Sequence, residues 1–225
     1  MRITLPNQVT LGRLVLAIVF FIVLAFFQAE QRTGTRWVLA VSFWLFLAAA
    51  LADVLDGLLA RMMNQVTSFG RVVDPVVDKV MVCGAFVYFS SQHFNAGGRN
   101  ITDVAPWMVL VILLRELLVS ALRAHSESEG RDFGANWAGK LKMLVQSATV
   151  CVILGQLAWY EPNLSWLRTG CVWLTVVVTA LSTLPYARRA HSFLLSGEAL
   201  GGPPPAARPD AGVAALLDPS RETAN

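Results

Sequence analysis

Four aspartates, Asp53, Asp56, Asp74 and Asp78, stand at or inside two strongly apolar segments. At about 100° per helical residue, Asp53, Asp56 and Ala60 share one helix face, and Asp74 and Asp78 share another. A short polar segment from Met62 to Arg71 joins the two pairs, as a turn between antiparallel neighbours would. Four carboxylates would then face one another where water is scarce. Even one charge at mid-membrane costs about 3 kcal/mol, so cations must compensate the cluster. No His or Cys lies within the stretch. Oxygen-only ligands select hard cations, Mg²⁺ or Mn²⁺ rather than zinc, and four carboxylates are enough to hold two of them. A purely structural account makes Asp74 an N-cap before Pro75 and pairs the other aspartates with Arg61, Arg71 and Lys79. It leaves Asp53 and Asp56 unexplained, because they end an apolar run that could have continued without charge.

A second polar group lies further along. Arg115 and Glu116 are neighbours in an apolar run, and Glu116, Ser120 and Arg123 share a helix face. Lys140 and Lys142 open the next apolar run. Two arginines and two lysines thus converge on the membrane side that carries the aspartates. They read either as ligands for a phosphate or as positive charges at cytoplasmic helix ends, and for Lys142 alone the two readings stand level.

The elements that position these residues follow from hydropathy. The chain has 225 residues, 55% hydrophobic and 15% charged, with a mean hydropathy of +0.55. That is too apolar for an ordinary soluble domain and indicates an all-α, polytopic integral membrane protein. Six apolar runs serve as spans: Leu14–Phe27, Trp37–Ala60, Val76–Phe89, Trp107–Leu122, Trp137 to about Trp159, and Val172–Leu184. A short amphipathic lead from Met1 to Arg13 precedes the first. Phe26-Phe27-Gln28-Ala29 is a poor signal-peptide cleavage site, so the first run is kept as a span. Arg13 suits either a snorkelling interfacial helix or a functional lead. The glycines of 93–103 mark a loop, and Asn100-Ile-Thr102 is too short a glycosylation pattern to carry weight. Cys83, Cys151 and Cys171 lie in apolar runs without Cys-x-x-Cys spacing and read as packing residues. From Gly197 the chain turns to Gly, Pro and Ala, so residues 1–196 form the membrane domain and 197–225 a disordered tail. With the N-terminus cytoplasmic, Arg61, Arg71, Lys79, Arg123, Arg131, Lys140, Lys142, Arg188 and Arg189 fall inside, and only Arg32, Arg36, Arg99 and Arg168 outside. The net charge of +3 reflects this distribution; no nucleic-acid motif is present.

The pattern Asp-x-x-Asp-Gly-x-x-Ala-Arg, eight residues, Gly-x-x-x-Asp-x-x-x-Asp resembles the signature of the CDP-alcohol phosphotransferase family of membrane phospholipid synthases, with every fixed position met. Pro6, Asn7, Thr10 and Arg13 match a lead that similar enzymes carry. Arg115-Glu116-x-x-x-Ser-Ala-Leu-Arg123 and Gly139-Lys140-x-Lys142 look like the bacterial phosphatidylglycerophosphate synthases of that family, and the likeness runs from about Leu5 to Ala190.

The resemblance implies transfer of a phosphatidyl group from CDP-diacylglycerol to glycerol 3-phosphate, in a homodimer of the cytoplasmic membrane whose site faces the cytoplasm. It assigns two Mg²⁺ or Mn²⁺ to Asp53, Asp56, Asp74 and Asp78, and gives Asp78 the further role of base. CDP-diacylglycerol would be held by Asn7, Thr10, Gly57, Ala60, Arg61 and Gly70, although the three small residues also suit plain helix packing. The acceptor's phosphate would be held by Arg115, Arg123, Lys140 and Lys142. Within the family, inositol phosphate, or phosphatidylglycerol to give cardiolipin, are alternative acceptors. An intramembrane prenyltransferase also uses aspartate-rich helices, but its motifs lie far apart, whereas here 17 residues separate Asp56 from Asp74. A cation transporter would have no use for Gly57-x-x-Ala60-Arg61.

Overall fold

The computed structural model describes the backbone of residues 5–63, 68–128, 137–160 and 163–195, and side chains over 11–31, 34–53, 76–124, 139–160 and 163–184. Six helices account for most of it: α1 (Leu5–Ala25), α2 (Arg32–Met63), α3 (Ser68–Phe89), α4 (Pro106–Ser128), α5 (Trp137–Gly155) and α6 (Ser165–Leu195). The chain divides into two units, Met1–Tyr186 and Ala187–Asn225. In the second, the described residues 187–195 are helical, and the tail 197–225 lies outside the described residues.

Each helix of the first unit buries one stripe at helical spacing. On α1 it is Arg13, Ala17, Phe20 and Leu24; on α2, Ser42, Phe46 and Ala49; on α3, Val82, Ala85, Phe86 and Phe89. A step of three or four residues returns a side chain to the same face, so Asp53 and Asp78 lie in line with the α2 and α3 stripes. The core gathers around these stripes, with α1 on α2 and α3, α2 also on α5, and α3 also on α4 and α5. Gly84 allows the closest approach. A Cβ there would lie 2.4 Å from Cζ of Phe21, so the ring of α1 rests directly on the α3 backbone. The opposite faces are apolar and exposed: Val76, Val80 and Val87 on α3, and Leu110, Leu114 and Leu117 on α4.

Among the described residues, three helical stretches are long and apolar enough to cross a membrane, Gly34–Asp53, Gly139–Tyr160 and Ser165–Leu184, and Leu11–Ala25 is a shorter apolar helix. The charges of α3 and α4, among them Asp78, Lys79, Arg115 and Glu116, dilute hydropathy there.

Several boundaries differ from those expected. From Leu5 onward the lead and the first apolar run form one helix, because Pro6 sits in the first turn of α1, where its missing N–H costs nothing. Asp74 is not an N-cap: α3 starts at Ser68, so Asp74 and Pro75 lie inside it. The interior Pro75 only looked like a helix start. Between α3 and α4, Asn95–Ala96 and Arg99–Asn100 pair as a small antiparallel ribbon. Gly97 and Gly98, at φ 57° and 76°, make the turn, a conformation that favours glycine. Asn100 is structural, its Nδ2 donating to the Phe89 carbonyl at 2.8 Å and its Oδ1 accepting from the Thr102 N–H at 2.8 Å. The three cysteines are free thiols.

Candidate active site

Asp53 stands near the end of the apolar part of α2, and Asp78 lies one stripe-length before Phe89 on α3. Both reach Arg13 of α1. Arg13 Nη1 lies 2.8 Å from Asp53 Oδ1, and its Nη2 donates to Asp78 Oδ1. Arg13 is only 3% exposed, so three helices converge on one buried guanidinium. Arg13 therefore does not snorkel, since a snorkelling side chain would put its charge in water. The acidic motif alone gave no reason to place Arg13 there.

Asp56, Gly57, Ala60 and Arg61 belong to α2, Gly70 and Asp74 to α3, and Asn7 and Thr10 to α1. Their side chains lie outside the described residues. Among the described residues no group of three or more His, Cys, Asp or Glu is placed to hold a metal ion. Asp53 and Asp78 do offer carboxylate oxygens from neighbouring helices to one shared positive charge. That oxygen-only donor set fits a hard divalent cation.

The basic residues divide into two groups. Arg115 and Lys142 are buried, and both donate to Oε1 of Glu116, Arg115 from 3.2 Å and Lys142 closer still. Arg115 Nε donates to Ser182 Oγ on α6 at 3.1 Å. Arg123 and Lys140 are exposed. Lys79, beside Asp78, donates to Ser120 Oγ at 2.6 Å, and Ser120 Oγ donates to the Glu116 carbonyl at 2.5 Å. The acidic and basic groups are therefore tied together through α3 and α4. Among the described residues, the Glu116 carboxylate pairs with two cations, Arg115 and Lys142, and Lys79 joins them through Ser120.

Away from the site, polar side chains hold α6 to its neighbours. Thr149 and Thr175 hydroxyls lie 2.8 Å apart, and Gln146 Nε2 donates to Thr179 Oγ1 at 3.2 Å. Arg168 donates to Asp103 Oδ2 at 2.8 Å and to Gln156 Oε1 at 2.7 Å. Such hydrogen bonds hold helices together where no hydrophobic force acts between them. Neither Arg168 nor Asp103 was singled out in the sequence, since no periodicity links residues 65 positions apart.

A helical bundle with exposed apolar outer faces and helices long and apolar enough to cross a bilayer defines a membrane protein. Residues 3–181 match the family described as CDP-alcohol phosphatidyltransferase. The chain belongs to this family. Similar proteins named CDP-diacylglycerol–glycerol-3-phosphate 3-phosphatidyltransferase occur in Salmonella typhimurium, 32% identical over 87% of this chain and 99% of theirs, and in Bacillus subtilis, 32% identical over 81% and 92%. One in Yersinia pestis is 31% identical over 87% and 99%.

Proposed function

We propose that the chain transfers the phosphatidyl group of CDP-diacylglycerol to glycerol 3-phosphate, giving phosphatidylglycerophosphate and CMP. The observation that carries this reading is the convergence of Asp53 and Asp78 on one buried positive charge, beside the buried Arg115–Glu116–Lys142 cluster of α4 and α5. One centre suits the donor's pyrophosphate with its cations, the other the phosphate of an acceptor. The names of the relatives, which the chain matches over nearly their whole length, agree with that pairing.

In this reading Asp53, Asp56, Asp74 and Asp78 hold two Mg²⁺ or Mn²⁺. When bound, such ions neutralise the pyrophosphate and the charge that develops on departing CMP. Asn7, Thr10, Gly57, Ala60, Arg61 and Gly70 surround the nucleotide end of the donor, whose acyl chains stay in the bilayer. The acceptor hydroxyl attacks the phosphorus that carries diacylglycerol, the bond from that phosphorus to CMP breaks, and Asp78 takes the hydroxyl proton. Arg115, Arg123, Lys140 and Lys142 orient the acceptor through its phosphate. Arg115 and Lys142 are preset by Glu116, whereas Arg123 and Lys140 are free to meet an incoming anion from water.

The same reading makes all six helices spans. The exposed apolar faces of α3 and α4 support this, as does the burial of Arg115 and Glu116 on α4. The bias of Lys and Arg sets the N-terminus and the site on the cytoplasmic side of the cell membrane. The protein acts as a homodimer, as its family resemblance implies.

The test is an assay of the purified protein with CDP-diacylglycerol and a panel of acceptors, reading CMP release. Release with glycerol 3-phosphate, and little with glycerol, inositol phosphate or phosphatidylglycerol, supports the proposal. Preference for another acceptor would replace the substrate while keeping the reaction.

A further inference from the structure

Arg13 lies on the buried stripe of α1 and joins the acidic centre from a helix that carries no aspartate. Its two terminal nitrogens engage one oxygen each of Asp53 and Asp78. A guanidinium is a rigid fork that serves two acceptors at once, which the single ammonium of lysine does not reproduce. We infer that Arg13 is the resident counter-ion of the aspartate pair: in the cation-free protein it occupies carboxylate oxygens that a divalent cation needs, so cation binding must displace it.

The inference rests on the aspartates being a cation site. Two carboxylates on adjacent helices repel each other when their cations are absent. Arg13 offsets that repulsion and keeps α2 and α3 in place. The same contacts put it in competition with an incoming cation, whose apparent affinity is lowered by the fraction of molecules in which Arg13 remains engaged.

The test is direct binding of Mn²⁺ to the full-length protein in detergent without lipid substrate, read from the electron paramagnetic resonance signal of free Mn²⁺. Wild type, Arg13→Gln and Arg13→Lys are compared, with Asp53→Asn as the site control, and melting is followed in EDTA and in Mn²⁺. Arg13→Gln should bind Mn²⁺ at least about tenfold more tightly than wild type. Arg13→Lys should fall between them. Arg13→Gln should also melt lower than wild type in EDTA and gain more from Mn²⁺. Equal or weaker Mn²⁺ affinity in Arg13→Gln overturns the inference. If that variant does not fold without cations, Arg13→Lys decides in the same way. Wild type that binds no Mn²⁺, or binds it as well after Asp53→Asn, removes the cation site itself. Binding that is lost in Asp53→Asn but not tightened by Arg13→Gln removes only the role of Arg13.

Discussion

Lys142 of α5 donates to the carboxylate of Glu116 on α4, and the same oxygen accepts from Arg115. The pairing separates two kinds of basic residue that the sequence presents alike. Arg115 and Lys142 hold helices together as well as carrying charge, while Arg123 and Lys140 stand exposed.

Arg123 therefore tests the acceptor pocket cleanly. Arg123→Ala should fold normally and raise the KM for glycerol 3-phosphate about tenfold or more, with little change in that for CDP-diacylglycerol, since a charge-assisted phosphate bond is worth about 1.5–3 kcal/mol. Unchanged acceptor KM would remove Arg123 from the pocket. Lys142→Met should behave differently, losing about 1–3 kcal/mol of stability because Glu116 loses a buried partner. Thermal melting of the two variants side by side distinguishes them.

Asp78→Asn should leave the protein folded and able to bind CDP-diacylglycerol, while turnover falls at least about a hundredfold. Near-normal turnover would place the base elsewhere.

Gly84 and Phe21 offer a test of packing. Gly84→Ala puts a methyl where the Phe21 ring lies, 2.4 Å from its tip, and should cost about 1–3 kcal/mol by overpacking. Combining it with Phe21→Leu should recover part of that loss, because the smaller side chain makes room. Full additivity of the two losses in melting experiments would show that the helices do not meet at this point.

Topology follows from the spread of Lys and Arg. Reporters fused after Arg189, or placed between Ser126 and Asn136, should both be cytoplasmic. A signal from the far side for either would invert the orientation.

The pairing of Asp53 and Asp78 across two helices was legible because charge inside an apolar run has few inexpensive explanations. Helix existence was legible because apolar residues recur at helical spacing. Arg13 was not, since one arginine at the mouth of an apolar run looks the same whether it reaches water or a carboxylate. Pro75 misled the start of α3 because a proline inside a helix and a proline opening one follow the same apolar pattern. The role of Glu116 stayed hidden because its partner Lys142 is 26 residues away on another helix, and only packing joins them. The clip of Arg168 on Asp103 was out of reach for the same reason.

The central claim is a cation-dependent transfer between two phosphate-bearing substrates, and its most direct measurement follows labelled glycerol 3-phosphate into lipid. Purified protein given CDP-diacylglycerol and Mg²⁺ or Mn²⁺ should move the label into the organic phase, with one CMP released for each labelled lipid. EDTA should abolish the transfer and renewed Mg²⁺ or Mn²⁺ restore it. Label that stays in water while CMP is released, or full transfer by thoroughly chelated protein, would contradict the account.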